Sequence, residues 1–308
     1  MGQALVFLTP AAALNLLSAV YSAAAAAVIF LTARRYARSD ALAAAACFLF
    51  ALAPAFWSQS SVAEVYSLGA LFLALASYLM FDLTRDLVQA SASRRRGRFV
   101  LLLFVVGLSL AHHRTTVLLL PALLLTVWMV RQSLPDDWQS RLAFGARITA
   151  VALLPQTLYA YVFLRLLPQG IPASDVFWNT VMGRTFAGSL GRQVRWVEVL
   201  WRIPERQLGV ASLALALVGL GLMTRVRASR WFAVLLLAIG VANLAFALVY
   251  WVPDVEVFAI PTIVVLALGL GGLGLWIIRL PKPWRLVATT FVLGLSLVPL
   301  SRRSLVLG

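Results

Sequence analysis

Apolar runs long enough to cross a bilayer recur from one end of this sequence to the other, and that recurrence excludes most folds before any motif is read. A membrane helix needs about 20 mostly apolar residues. About ten such runs stand at 11–33, 41–56, 64–84, 98–112, 115–131, 146–167, 208–224, 231–251, 256–278 and 284–300. The runs are continuous, whereas the strands of a membrane barrel alternate apolar with polar residues. Of the 308 residues 62% are hydrophobic and only 12% charged, about half the charge of a soluble domain. The expected fold is therefore all-α and polytopic, a single transmembrane domain over residues 1–308.

The net charge of +15 does not make this a nucleic-acid binder, because the arginines form no stripe on a soluble face. They sit in short loops between apolar runs. Arg34, Arg35 and Arg38 follow the first run, and Arg85, Arg94, Arg95, Arg96 and Arg98 the third. Arg131, Arg141 and Arg147 follow the fifth, Arg225, Arg227 and Arg230 the seventh, and Arg279, Lys282 and Arg285 the ninth. Cytoplasmic loops are rich in Lys and Arg, so every second loop is expected in the cytoplasm and the N-terminus outside. The first ten residues, MGQALVFLTP, hold no charge to send them there, which leads to the expectation that a helix and a first outer loop precede this stretch. Arg302 and Arg303, after the last run, break the inside rule. The one cysteine, Cys47, lies in an apolar run and reads as a small core residue.

The loops expected outside hold the unusual residues. Both histidines and six of the eleven acids, Glu64, Asp175, Glu198, Glu205, Asp254 and Glu256, fall there. Ionisable groups at membrane depth are costly and mark functional sites by default. In FWSQSSVAEVYSL, 56–68, Glu64 lies between Trp57 and Tyr66. It can act as a base or orient a hydroxyl, or it can serve as the acid of a helix N-terminus behind Ser60 and Ser61. In GLSLAHHRTTVLLLP, 107–121, His112, His113 and Arg114 interrupt a hairpin. They suit a phosphate or a proton transfer, or simply a polar turn. Neighbouring histidines on a helix point to different sides, which argues against a two-histidine metal site, and no metal is expected.

In YWVPDVEVFAIP, 250–261, Asp254 and Glu256 are framed by Tyr250, Pro253 and Pro261. Two carboxylates there can hold a sugar hydroxyl, or merely make the loop acidic. Arg184 lies between glycines in NTVMGRTFAGSL, 179–190, where arginine suits bidentate phosphate recognition. Residues 192–206 read as an amphipathic helix in the interface. Arg192, Arg195, Glu198, Arg202 and Arg206 form one face, with Val194, Val197, Leu200 and Trp201 opposite.

At these stretches the chain resembles the protein-O-mannosyltransferase-like family of the GT-C glycosyltransferase superfold. NLLSAVYSAAAAAVIFL at 15–31, FWSQSSVAEVYSL at 56–68, the histidine hairpin through Pro121 and the Y-x-x-x-D-x-E-x-F-x-x-P run at 250–261 carry the likeness, AEVY being the most specific. It covers about residues 10–265. The resemblance implies an enzyme of the bacterial inner membrane that moves a sugar, mannose by analogy, from a polyprenyl-phosphate donor to a protein hydroxyl or a glycan outside the cytoplasm, with inversion and with no cofactor beyond the lipid-linked sugar as substrate. On that reading Glu64, Asp254 and Glu256 are the catalytic candidates. Trp57, Tyr66, His112, His113, Arg114, Arg184 and Tyr250 are the substrate-binding ones.

The family pattern begins with a further helix and an outer loop bearing Asp-Ser-Gly-Glu-like and His-Pro-Pro-Gly-Tyr-Pro-like motifs, neither of which occurs in this sequence. The catalytic base generally lies in that loop, so the chain as given is expected to lack it. Two competing readings follow. A transporter or flippase for a lipid-linked or anionic solute would place charges near the midplane on broken, repeated helices, a pattern absent here. A non-catalytic membrane subunit would show indifference to the loss of Asp254 and Glu256.

Overall fold

The computed structural model describes residues 9–301 apart from 90, 192, 193, 195 and 251, with the backbone alone for 86–89, 185 and 186. The expectations placed on the first eight residues, on Arg192 and Arg195, and on Arg302 and Arg303 lie outside the described residues.

Local chemistry sets most helix ends. Thr9 accepts from the Ala12 amide and Pro10 opens α1, Pro10–Ala37, which stops at Arg38 in the left-handed region. Ser39 caps α2, Asp40–Ala51. Pro54 opens α3, Pro54–Ser60, bent 73° from α2, because the residue before a proline resists the helical region. Then come α4, Tyr66–Gln89, and α5, Ala92–His112, capped by Ser91. A 3-10 turn at Arg114–Leu119 feeds α6, Leu120–Val130. Asp137 caps α7, Trp138–Leu153, which passes through a turn at Pro155 into α8, Leu158–Leu166.

Beyond an irregular stretch, a π-helical turn at Glu198–Arg202 runs into α9, Ile203–Leu208. Gly209, at φ 78° and ψ 150°, then swings the chain through 105° into α10, Val210–Arg225. That backbone conformation is open to glycine and to little else. α11, Arg230–Val249, a 3-10 turn at Val255–Ala259, α12, Ile260–Gly271, and α13, Lys282–Ser296, complete the chain.

Among the described residues seven helical stretches are long and apolar enough to cross a membrane, or nine if each of two bent pairs counts as one span. The ten runs read from the sequence include α5, which falls short because Arg94, Arg95, Arg96 and Arg98 occupy its first two turns. The fold is the all-α, polytopic architecture expected.

The most enclosed span is Val255–Ile277, 83% buried. Helices gain no hydrophobic driving force from one another in lipid, so close packing falls to small residues that let backbones meet. A Cβ on Gly219 of α10 would lie 2.1 Å from the Gly269 carbonyl oxygen, and one on Gly272 would lie 2.5 Å from the Gly219 oxygen. On another side of the same segment, a Cβ on Gly274 would meet the Ala37 oxygen of α1 at 2.0 Å. The Tyr36 hydroxyl donates to the Leu268 carbonyl. At the far end of the bundle the buried Asp82 of α4 pairs with Arg35 of α1 and, at 3.7 Å, with Arg98 of α5. Arg35 also lies 4.9 Å over the Tyr78 ring. A buried carboxylate needs such partners, and this one fastens three helices.

The amphipathic segment is helical from 196 onward, and it packs on the bundle through residues that the sequence pattern did not single out. Val199 and Ile203 are buried against Ala247 and Val255. Val197, Leu200 and Trp201 are 45–62% exposed, and Val194 lies outside the helix with 50% exposure. The charged side is an ion-pair chain of Arg202, Glu198 and Arg206.

A Gly272→Ala substitution is expected to lower the thermal midpoint in detergent through a loss of about 1–3 kcal/mol from overpacking. Gly294→Ala, in open space on α13, should be neutral or stabilising by up to about 1 kcal/mol.

Candidate functional site

The end of the bundle opposite Asp82 gathers the loops that carry the sequence candidates. α4 begins at Tyr66, and Glu64 stands two residues ahead of it, exposed in the bend after α3. It is therefore not the first-turn acid of a helix capped by Ser60 or Ser61. Those hydroxyls turn back to the Trp57 and Ser58 carbonyls, and Trp57 itself is exposed on α3. Asp254 is exposed just before the Val255–Ala259 turn. The Asp254 and Glu64 carboxylates and the Tyr250 hydroxyl all lie within electrostatic reach of the Tyr66 hydroxyl. Four sequence candidates from two separate loops are thus brought to the same end of the bundle. Neither carboxylate has an ion pair among the described residues.

Glu256 is engaged differently. Its two oxygens accept from Arg206 at 3.1 Å and from Gln207 Nε2 at 2.8 Å. Gln207 is fully buried, and its own Oε1 accepts the Ala55 amide of α3 at 2.7 Å. One side chain therefore joins the loop that leads to Glu64 with the turn that follows Asp254. Gln207, an uncharged amide at the end of the charged Glu205–Arg206 pair, gave no sequence signal for this.

His112 closes α5 and donates from Nε2 to the Val65 carbonyl at 2.8 Å. His113 has left the helix, at φ −147° and ψ 130°, so the argument from helical spacing does not govern it. Its ring lies 6.0 Å from that of Tyr66, and Nδ1 is 2.5 Å from the Thr115 hydroxyl. Both histidines face the start of α4. Burial, reinforced by His112 and then by Arg114, pushes the His113 pKa down to about 4, leaving a neutral imidazole at physiological pH.

Tyr66, Phe246, Tyr250 and Phe258 form an aromatic wall, with Tyr250 stacked on Phe246 at 4.7 Å and edge-on to Phe258 at 5.0 Å. Burial, and then Asp254, raises the Tyr250 pKa, so its hydroxyl keeps its proton. Behind Tyr66 and Phe258 a cavity of about 70 Å³ runs into the bundle, lined in part by Ser109, His113, Thr115, Thr116 and Asn243. The sequence reading missed these cavity residues, apart from His113. Asn243, a lone amide in the apolar run of α11, was the available signal.

Arg114 and Arg184 belong to one arrangement. Arg114 Nε donates to the Val181 carbonyl at 2.5 Å, and its guanidinium lies where a Cβ on Gly183 would come within 2.8 Å. Gly183 is also at φ 69°, which favours glycine. Further on, Leu190 pairs antiparallel with Tyr250 and the Gly191 amide donates to Val249 at 2.8 Å. The loop bearing Arg184 is therefore tied to the site on both sides. Arg184 itself is exposed beside an open cleft of about 400 Å³ shared with Trp178 and Met182.

Comparisons with known proteins agree with this picture. Residues 2–135 match the family described as protein O-mannosyl-transferase TMEM260 N-terminal domain. The chain is 30% identical over 153 residues to protein O-mannosyl-transferase TMEM260 of Mus musculus, a match covering 47% of this chain and 21% of that protein. The structure is similar to ArnT from Cupriavidus metallidurans bound to undecaprenyl phosphate, with a TM-score of 0.59 at 20% identity over 91% of this chain and 49% of that one. Against the apo form the TM-score is 0.56, at 20% identity over 90% and 48%. The chain spans about a fifth of the curated relative's length and about half of each ArnT chain. The resemblance to protein-O-mannosyltransferase-like proteins is borne out, and the ArnT likeness establishes the fold as GT-C-like.

Two measurements test the geometry. Gln207→Leu should destabilise the protein by about 1–3 kcal/mol, since it strands a buried amide and one oxygen of Glu256. Below its ordinary pKa of 6.5 an unfolded His113 takes a proton that the folded protein refuses until about pH 4, so stability falls as pH drops through that window. The thermal midpoint of His113→Gln should fall less than that of the wild type across the same range.

Proposed function

Starting from this kinship and this fold, we propose that the protein acts as a membrane glycosyltransferase. It moves a sugar, mannose by analogy with the TMEM260 relatives, from a polyprenyl-phosphate donor to a protein hydroxyl on the extracytoplasmic side of a bacterial inner membrane. The observation that supports this most is the placing of two exposed carboxylates, Glu64 and Asp254, with no ion pair among the described residues, within electrostatic reach of Tyr66, at the end of the bundle where an anchored loop presents Arg184.

The residues divide the work by their chemistry. The acceptor hydroxyl loses its proton to a carboxylate of the Glu64 and Asp254 pair as its oxygen bonds to the sugar's anomeric carbon. The bond from that carbon to the lipid phosphate breaks on the opposite face, with inversion. Both electrons leave on the phosphate, whose charge Arg184 receives as a bidentate donor, and the carboxylate releases the proton to solvent. Glu256 is spent on Arg206 and Gln207, so its part is to hold the Asp254 turn. Trp57, Tyr66 and Tyr250 supply aromatic faces suited to a sugar ring, and neutral His113 can exchange hydrogen bonds with a hydroxyl in the cavity.

Reconstituted protein supplied with polyprenyl-phosphate mannose and a Ser/Thr-rich peptide provides the test. Glu64→Gln and Asp254→Asn should each lower transfer by about 10²–10⁴-fold without moving the thermal midpoint. Wild-type transfer in both variants would remove these carboxylates from the mechanism. Donor-lipid flux in proteoliposomes without any covalent product would replace the enzyme with a transporter.

A further inference from the structure

At the opposite end of the bundle, the arginines fall into two groups. One group is paired with acids of the fold. Arg34 pairs with Asp40 at 2.8 Å, and Arg35 and Arg98 share Asp82. Arg131, at the end of α6, and Arg230, at the start of α11, are arranged otherwise. Arg131 lies 4.3 Å over the Trp128 ring and Arg230 lies 5.5 Å over the Trp231 ring, and the two indoles touch at 5.6 Å. Both arginines are exposed, and neither has an ion pair among the described residues.

More positive charge converges on the same corner. Arg95 Nε donates to the Ser133 hydroxyl at 2.6 Å and Arg96 to the Ser133 carbonyl at 3.3 Å, on the turn that Arg131 opens. Arg131 also donates to the Trp128 carbonyl at 2.6 Å. The nearest acids along the chain are Asp136 and Asp137, and Asp137 is occupied in capping the Ser140 amide. An indole face attracts a guanidinium and leaves its N–H rim free for an anion. From Trp128 an exposed apolar stripe of Val127, Leu124 and Leu120 climbs α6, and Leu237 and Val241 do the same on α11.

We infer that this Trp128–Trp231 corner is a headgroup site for an anionic phospholipid, whose phosphate and net negative charge sit among Arg131, Arg230 and Arg96 while an acyl chain follows the stripe. A zwitterionic lipid carries the same phosphate without the net charge, so the site discriminates between the two. Each arginine near a membrane surface is worth about a fivefold preference for an anionic lipid. The inference needs only that the chain lies in a membrane and stands apart from the sugar-transfer reading.

The test uses the full chain reconstituted in phosphatidylcholine with increasing shares of bromine-labelled phosphatidylglycerol or bromine-labelled phosphatidylcholine. The Trp128 and Trp231 signal is the fluorescence lost in a Trp128→Phe/Trp231→Phe variant. Quenching of that signal should favour phosphatidylglycerol by at least fivefold in the wild type. Arg131→Gln/Arg230→Gln should bring the preference towards one, while Arg131→Lys/Arg230→Lys should keep part of it. Equal quenching by the two lipids in the wild type, a measurement that needs no variant, would overturn the inference. So would an undiminished preference in the folded Gln variant, or its loss on adding millimolar inorganic phosphate, which would mark a site for a free anion.

Discussion

The contact that the rest of the structure depends on is the glycine-mediated approach of the Val255–Ile277 span, α12 and the turns at its two ends, to α1 and α10. Lipid offers helices no hydrophobic gain for associating, so the enclosed span must be held by backbones close enough to touch. Gly219, Gly269, Gly272 and Gly274 allow this, because a Cβ at any of them would run into a neighbouring carbonyl oxygen or its own close surroundings. With α12 fixed, the Val255–Ala259 turn that precedes it is fixed too. That turn carries Glu256 and Phe258 and follows Asp254, so the position of the site begins with glycines a helix length away.

The two ends of the bundle use charge in opposite ways. At one end Asp82 is buried and shared by Arg35 and Arg98, an ion triad that can only be structural where it stands. At the other, Glu256 is committed to Arg206 and Gln207, and this commitment leaves Asp254 and Glu64 exposed to whatever enters. Gln207 reaches both the α3 amide and Glu256, so Asp254 and Glu64, neither with an ion pair among the described residues, belong to loops braced by one buried amide. The Arg184 loop is held in a similar way, clamped by Arg114 at Val181 and by pairing at Leu190 and Tyr250. A site made of loops becomes as definite as one built on helices when each loop is tied on both sides.

Much of this was legible in the sequence. Continuous apolar runs can only be helices in a bilayer, since each backbone amide must find its partner within its own segment. The AEVY, histidine-hairpin and Y-x-x-x-D stretches, singled out by their residues, lie together at one end of the bundle. Less legible was the count of spans, where the arginines of α5 shorten its apolar part and two runs bend at Pro54 and Gly209. In the amphipathic segment the sequence pattern did not single out the contact with the protein. Hydrophobic spacing cannot tell a face turned to lipid from one turned to protein, and it is Val199 and Ile203 that pack inward while Trp201 stays out.

The sequence by itself determined the membrane-embedded helical class and the separation of the basic loops from those that carry the histidines and the AEVY and Y-x-x-x-D stretches. Each of these follows from local chemistry, namely apolar length, charge between runs, and caps and breakers. Only the tertiary structure decided which acids are free. Asp254 and Glu256 are two residues apart and alike in sequence, yet Glu256 is locked by an arginine and a glutamine some fifty positions earlier while Asp254 is exposed. A carboxylate's role is set by the partners that reach it through space, and those partners come from loops that the packing of α12 brings together.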